Sequence, residues 1–215
     1  MFETLMSKTF LILSASLVCA YIGCLYAQST FRKFLETQQF DKVKSYNMWA
    51  LILNVVFFIV LMFTRKLMPL NMVFMAMFTF SSGFTLGLIT LTAGDSAQKA
   101  LAITALTTFL TGLISMYSGL DFAWLGTFLF WALIILIIIS IIRLFVRIKG
   151  QRFFAAFGVL IFTGYLLFDF NNLAKLKQIA SANNWETALD FAISIYLDIV
   201  NLFLQLIQLL FSGNN

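Results

Sequence analysis

The chain has 215 residues, 61% of them hydrophobic and 11% charged, with 26 phenylalanines and a single proline, Pro69. A soluble domain carries about 25% charged residues, so this composition excludes a globular protein that covers itself in water and points to burial in lipid. The formal charge of +5 does not imply nucleic acid, because the lysines and arginines sit in short runs between apolar blocks, where a membrane protein keeps them.

Crossing about 30 Å of hydrocarbon takes about 20 apolar residues, and hydropathy predicts seven such runs: Thr9–Ala27, Asn47–Thr64, Asn71–Ala93, Ala100–Leu120, Phe122–Ile142, Phe153–Asn171 and Trp185–Phe211. The first follows Lys8 as a signal peptide would, but it is longer than a signal core and lacks a small-x-small cleavage site, so it reads as a retained helix. Cys19 and Cys24 lie five apart within it, turned away from each other on a helix, and read as small buried apolar residues. The longest connection, Gln28–Tyr46, holds Arg32, Lys33, Glu36, Asp41, Lys42 and Lys44. Its Phe31, Leu35 and Phe40 suggest an interfacial amphipathic helix.

The third run carries Gly83 and Gly87 at GxxxG spacing, and the fourth is rich in Thr104, Thr107, Thr108, Thr111, Gly112 and Ser115. Close helix packing accounts for both better than a pore lining does. The expected architecture is an all-α integral membrane protein: one membrane domain over residues 1–215, a seven-helix bundle with the seventh helix central. Five basic residues (Lys8, Arg65, Lys66, Lys175, Lys177) fall on the N-terminal side and nine on the other, Arg147 and Lys149 among them. The imbalance favours an external N-terminus and a cytoplasmic C-terminus.

The sharpest chemical signal is a pair of intramembrane acids. Asp169 lies in the sixth run and Asp198 near the middle of the seventh, and an ionised aspartate in hydrocarbon calls for a partner, a cavity or a shared proton. Thr187, Asp190, Ser194, Asp198, Asn201, Gln205 and Gln208 follow steps of three and four and so share one helical face. Tyr165, Asp169 and Asn172 form a shorter stripe. Sequential helices joined by a short loop place the two stripes opposite each other, and Arg65 leaves the second helix on the side where the sixth ends, a candidate partner for Asp169. A purely structural hydrogen-bonded pair is the bland reading. An aspartyl protease dyad is a remote one, since Tyr196-Leu197-Asp198 lacks the glycine of a GxGD motif. Rhomboid and zinc-protease chemistry needs histidine, which the chain does not have. The remaining class is cation permeation gated by protonation. Asp169 and Asp198 would be possible calcium ligands, with Asn172, Asn201, Asp190, Ser194 and Gln205 as further pore-lining or coordinating groups.

The segments GYLLFDFNNL (Gly164–Leu173) and ALDFAISIYLDIVNLFLQLIQLL (Ala188–Leu210) resemble the two C-terminal signatures of the Bax inhibitor-1 family. FTRKLMPLNMVFMAMFTFSSGFTLG resembles its second-to-third helix region, and KTFLILSASLVCAYIG is a weaker match. The resemblance implies seven helices and a pH-sensitive calcium leak, with calcium as the permeant ion rather than a cofactor and without enzymatic activity. The family's gating dyad falls on Asp169 and Asp198, and its basic latch on Arg65. Phe168 departs from the usual tyrosine before Asp169, and Asn54 stands where some members carry an acid. The bacterial-type relatives imply an alternative role, modulation of a membrane-anchored AAA protease. The short chain, with no soluble domain between its apolar runs, points to a bacterial protein of the inner membrane.

Overall fold

The structure is a computed structural model that describes residues 4–145, 150–177 and 179–211; Arg147 and Lys149, counted above for orientation, lie outside them. Among the described residues there are seven α-helices and no strand: α1 Leu5–Glu36, α2 Phe40–Thr64, α3 Leu70–Ala93, α4 Asp95–Tyr117, α5 Leu125–Phe145, α6 Gln151–Leu176 and α7 Trp185–Phe211, with a 3-10 turn at Ala180–Ala182 before α7. All seven are long and apolar enough to cross a membrane. The chain groups into two compact units, Met1–Gly94 with Asn184–Ile193, and Asp95–Asn183 with Ser194–Asn215. The continuous helix α7 therefore contributes its first turns to one unit and the rest to the other, and it has the largest buried share of the seven, 44%.

The first unit is built on the α1–α3 seam. A Cβ on Gly83 would lie 1.8 Å from the Ala20 carbonyl oxygen, and one on Gly23 would lie 2.2 Å from the Phe80 carbonyl oxygen. The GxxxG pair thus serves backbone approach, and α1 answers it with Ser16, Ala20, Gly23 and Ala27, all buried at steps of four, three and four. Below the seam Gln28 Nε2 donates to Thr90 Oγ1 at 2.8 Å, and Cys24 Sγ lies 3.4 Å from the same hydroxyl. Cys24 therefore belongs to a polar contact between helices, whereas Cys19 remains a partly buried apolar filler.

The expected interfacial helix does not form as such. α1 runs on to Glu36 and α2 starts at Phe40, leaving a turn in which Gln38 has φ 56° and Gln39 N–H donates to the Phe34 carbonyl at 2.8 Å. The reason is packing. Phe31 is fully buried and Val43 nearly so, in a cluster with Phe34, Leu35, Phe84, Leu88 and Leu91, so Phe31 and Leu35 meet α3, while Phe40 stays exposed. At 1.5 Å per residue a helix as long as α1 exceeds the hydrocarbon thickness by more than a turn, and its polar end carries Arg32, Lys33 and Glu36 beyond the apolar stretch. α2 is tied to α3 by Asn54, whose Nδ2 donates to the Phe78 carbonyl at 3.2 Å and to Ser81 Oγ at 3.1 Å.

In the second unit α6 is the common neighbour of α4 and α5. Ser115 Oγ donates to the Leu167 carbonyl at 2.9 Å, and Phe168 lies over Gly126, where a Cβ would come within 2.8 Å of its ring. Gly112, by contrast, has only ordinary contact room, 3.6 Å from Phe170.

These contacts separate the glycines. Gly83→Ala should cost about 1–3 kcal/mol through forced backbone displacement, read as a clear loss of thermal stability in detergent. Gly112→Ala should be neutral or slightly stabilising; equal tolerance at both positions would contradict the seam.

Candidate functional site

The site lies in the second unit, where α5, α6 and α7 line an open cavity of about 680 Å³. Tyr165 and Asp169 enter it from α6, Ser194, Asp198, Asn201 and Gln205 from α7, and Ser140 from α5, against an apolar wall that includes Leu133, Leu136 and Ile137. The stripe spacing on α7 explains its four contributors: steps of four, three and four keep them on one face of a continuous helix. Ser194 and Gln205 are eleven residues apart, about 16 Å of helix, so the cavity runs along about half the hydrocarbon thickness.

Asp169 and Asp198 are within hydrogen-bonding reach of each other, side chain to side chain. Asp198 is 7% exposed, and its Oδ2 is buried with no hydrogen-bond partner. Asn201 Nδ2 donates to the Leu197 carbonyl at 2.8 Å, which commits the amide nitrogen to its own helix and leaves the oxygen as the end open to a cation. Gln205 lies on Gly158, where a Cβ would come 2.6 Å from its Cδ. The missing side chain on α6 is what makes room for the glutamine.

Other candidates stand elsewhere. Arg65, in the first unit, pairs with Asp190 at 3.5 Å, both about half exposed, so the carboxylate beside the expected latch is on the first turns of α7. Asn172 is partly buried but not in the cavity wall. Its neighbour Asn171, which the sequence reading passed over, is buried and clamps the α4–α5 connection: Nδ2 donates to the Leu120 carbonyl at 2.9 Å, and Oδ1 accepts from the Phe122 N–H at 3.2 Å. Beside it the Lys175 ammonium bonds Asp121, and that bond, with the Ala123 N–H, holds the exposed Asp121 carboxyl below its ordinary range. Ser140 was also missed, although a lone hydroxyl in a run of isoleucines is a visible signal. Among the described residues no three Asp, Glu, Cys or His side chains gather as a metal site. The oxygens offered to a cation are two carboxyls and neutral groups, a thin set for an ion that takes six to eight ligands.

A family model described as Inhibitor of apoptosis-promoting Bax1 matches residues 3–215. The chain belongs to the Bax inhibitor family. It is similar to BI1-like protein of Arabidopsis thaliana, 32% identical over 68% of this chain and 57% of the relative, and to Protein LIFEGUARD 1 of the same plant, 30% identical over 68% and 62%. It is also similar to an uncharacterised protein of Campylobacter jejuni, 29% identical over 97% of this chain and 88% of the relative. The chain thus spans about three fifths of these plant relatives and most of the bacterial one. It is a multi-pass membrane protein with bacterial homologues.

The asparagine clamp is testable by contrast. Asn171→Ala leaves a carbonyl and an N–H of the α4–α5 connection unpaired and should cost about 1–3 kcal/mol of stability, while Asn172→Ala should change little. The Asp121–Lys175 contact has the opposite visibility. A carboxyl whose folded pKa is depressed contributes its stability above its unfolded value and loses it as pH falls through the folded one. Any difference in melting temperature between the parent and Lys175→Gln should therefore be present at neutral pH, small because the pair is exposed, and vanish in acid.

Proposed function

We propose that this protein is a pH-sensitive calcium leak of the cytoplasmic membrane, controlled by a proton held between Asp169 and Asp198, with Arg65 steadying the closed state. The observation that carries the reading is the buried Asp198 carboxyl beside Asp169, in the wall of a cavity that Ser140, Ser194, Asn201 and Gln205 also line. Two carboxyls can hydrogen-bond only with a proton between them, because two like charges at that distance repel strongly.

With the proton shared, the site holds one negative charge and the two helices are joined through the pair. Full ionisation adds repulsion but improves the ligands for calcium; full protonation removes both the anionic hold and the ligands. The leak therefore responds to pH over a limited window. Arg65, paired with Asp190, ties the end of α2 to the first turns of α7, the helix that carries Asp198. Calcium is cargo in this scheme. The sparse set of oxygens suits passage better than storage, and the missing glycine before Tyr196-Leu197-Asp198 argues against a protease dyad.

Purified protein reconstituted in liposomes around a calcium dye tests this. The parent should leak with a rate that changes by up to about tenfold per pH unit across the window, the limit for one titrating proton. Asp169→Asn and Asp198→Asn should each flatten that profile, and Arg65→Ala and Asp190→Asn should raise flux at neutral pH while keeping it. Flux identical in all four folded variants would remove the gate, and capture of a membrane-anchored AAA protease with no flux at any pH would replace the leak with the regulatory role.

A further inference from the structure

The cavity that holds the acid pair also has the build of a site for an organic molecule. Its volume of about 680 Å³ falls within the about 300–1,000 Å³ of small-molecule sites, which combine apolar and aromatic walls with a few polar groups. Leu133 and Leu136 supply hydrocarbon from α5, and Phe162 and Tyr165 supply neighbouring rings from α6, their centroids 6.4 Å apart. Ile137 and Ile141, on the α5 wall of this membrane-crossing helix, are 48% and 52% exposed, so that rim of the opening borders hydrocarbon.

The charge in the cavity has one sign. Asp169 and Asp198 are the charged side chains among its described lining residues, and no lysine or arginine lines it. Asp198 is 7% exposed and keeps Oδ2 without a hydrogen-bond partner. Ser140 commits its one donor to the Leu136 carbonyl at 2.7 Å, and Asn201 turns an amide N–H to the Leu197 carbonyl at 2.8 Å, so both keep chiefly acceptor capacity for an occupant. With a proton shared between them, the two acids carry a single negative charge. A calcium ion lodged there would lack most of its six to eight oxygens. A single ammonium N–H needs only one acceptor, and ring faces attract the charge around it.

We propose that this cavity binds a lipophilic amine in its protonated, monovalent form, with the ammonium at the Asp169–Asp198 pair and the apolar body along Leu133, Leu136 and Phe162. The inference takes from the proposed function only the single charge of the acid pair, and it stands whether or not calcium passes.

The test uses the full chain in phosphatidylcholine nanodiscs at neutral pH, where an aliphatic amine is protonated. The probe is tritiated dimethyl(phenylpropyl)amine, with empty nanodiscs subtracted for partition into lipid. The parent should bind one amine per chain saturably, and should bind the uncharged isopropyl isostere and the anion phenylbutanoate at least about tenfold more weakly. The double variant Asp169→Asn with Asp198→Asn should lose the saturable component. Ile137→Trp, at the exposed rim, leaves both acids in place and should weaken binding about tenfold, which keeps the test decisive if the double variant fails to fold. Equal binding of the isostere, a preference for phenylbutanoate, undiminished binding in either folded variant, or no saturable binding by the parent would each overturn the assignment. Calcium flux without amine binding would remove this inference alone, and amine binding without flux at any pH would remove the leak alone.

Discussion

In hydrocarbon a polar side chain cannot turn to solvent, and this constraint organises the molecule. Asn54 binds the backbone of α3, Asn171 closes the α4–α5 connection, Gln28 reaches Thr90 across the α1–α3 seam, and Ser115 joins α4 to α6. Each replaces water with a protein partner from a neighbouring helix or connection. Among the described residues three buried side-chain oxygens lack one, on Asn71, Thr108 and Asp198, and of these the last alone belongs to a carboxyl. Energetically that is the most expensive polar atom to leave unmatched, which is why the functional reading starts there.

The same solvent supplies no hydrophobic force to pull helices together, so association rests on close contact. The α1–α3 seam meets that requirement with glycines whose Cβ positions are filled by the opposite backbone. Where the small residues stop, at the methionine-rich start of α3, the contact opens into a cleft. Tight seam and open cleft are two outcomes of one variable, side-chain size along a shared pair of helices.

Much of this was legible in the sequence, for reasons that differ by element. The apolar runs located all seven helices, because length and hydropathy are properties of single segments. Their ends were less legible: hydropathy marks where lipid stops, whereas α1 and α6 continue as helices into polar residues, Arg32 to Glu36 in one and Asn172 to Leu176 in the other. The face shared by Ser194, Asp198, Asn201 and Gln205 followed from spacing on one helix. Partners supplied by irregular backbone were invisible, which is why attention fell on Asn172 and not on Asn171, whose bonds go to a connecting segment that has no periodicity. The small residues of α1 could have been found, since Ser16, Ala20, Gly23 and Ala27 repeat the pattern already noticed on α3. Arg65 was recognised as a cation in need of an anion, but which carboxylate stood beside it depended on the register of the first turns of α7.

Gln205 seated on the bare backbone of Gly158 gives the lower end of the acid-lined cavity a distinctive time constant. A single side chain with one amide head reorients on picosecond to nanosecond scales when it is free to do so, whereas parting two helices takes microseconds or longer. Motion of that amide at the end of the cavity is therefore much faster than any rearrangement of α6 against α7. A side chain at position 158 would take the space in which that amide moves.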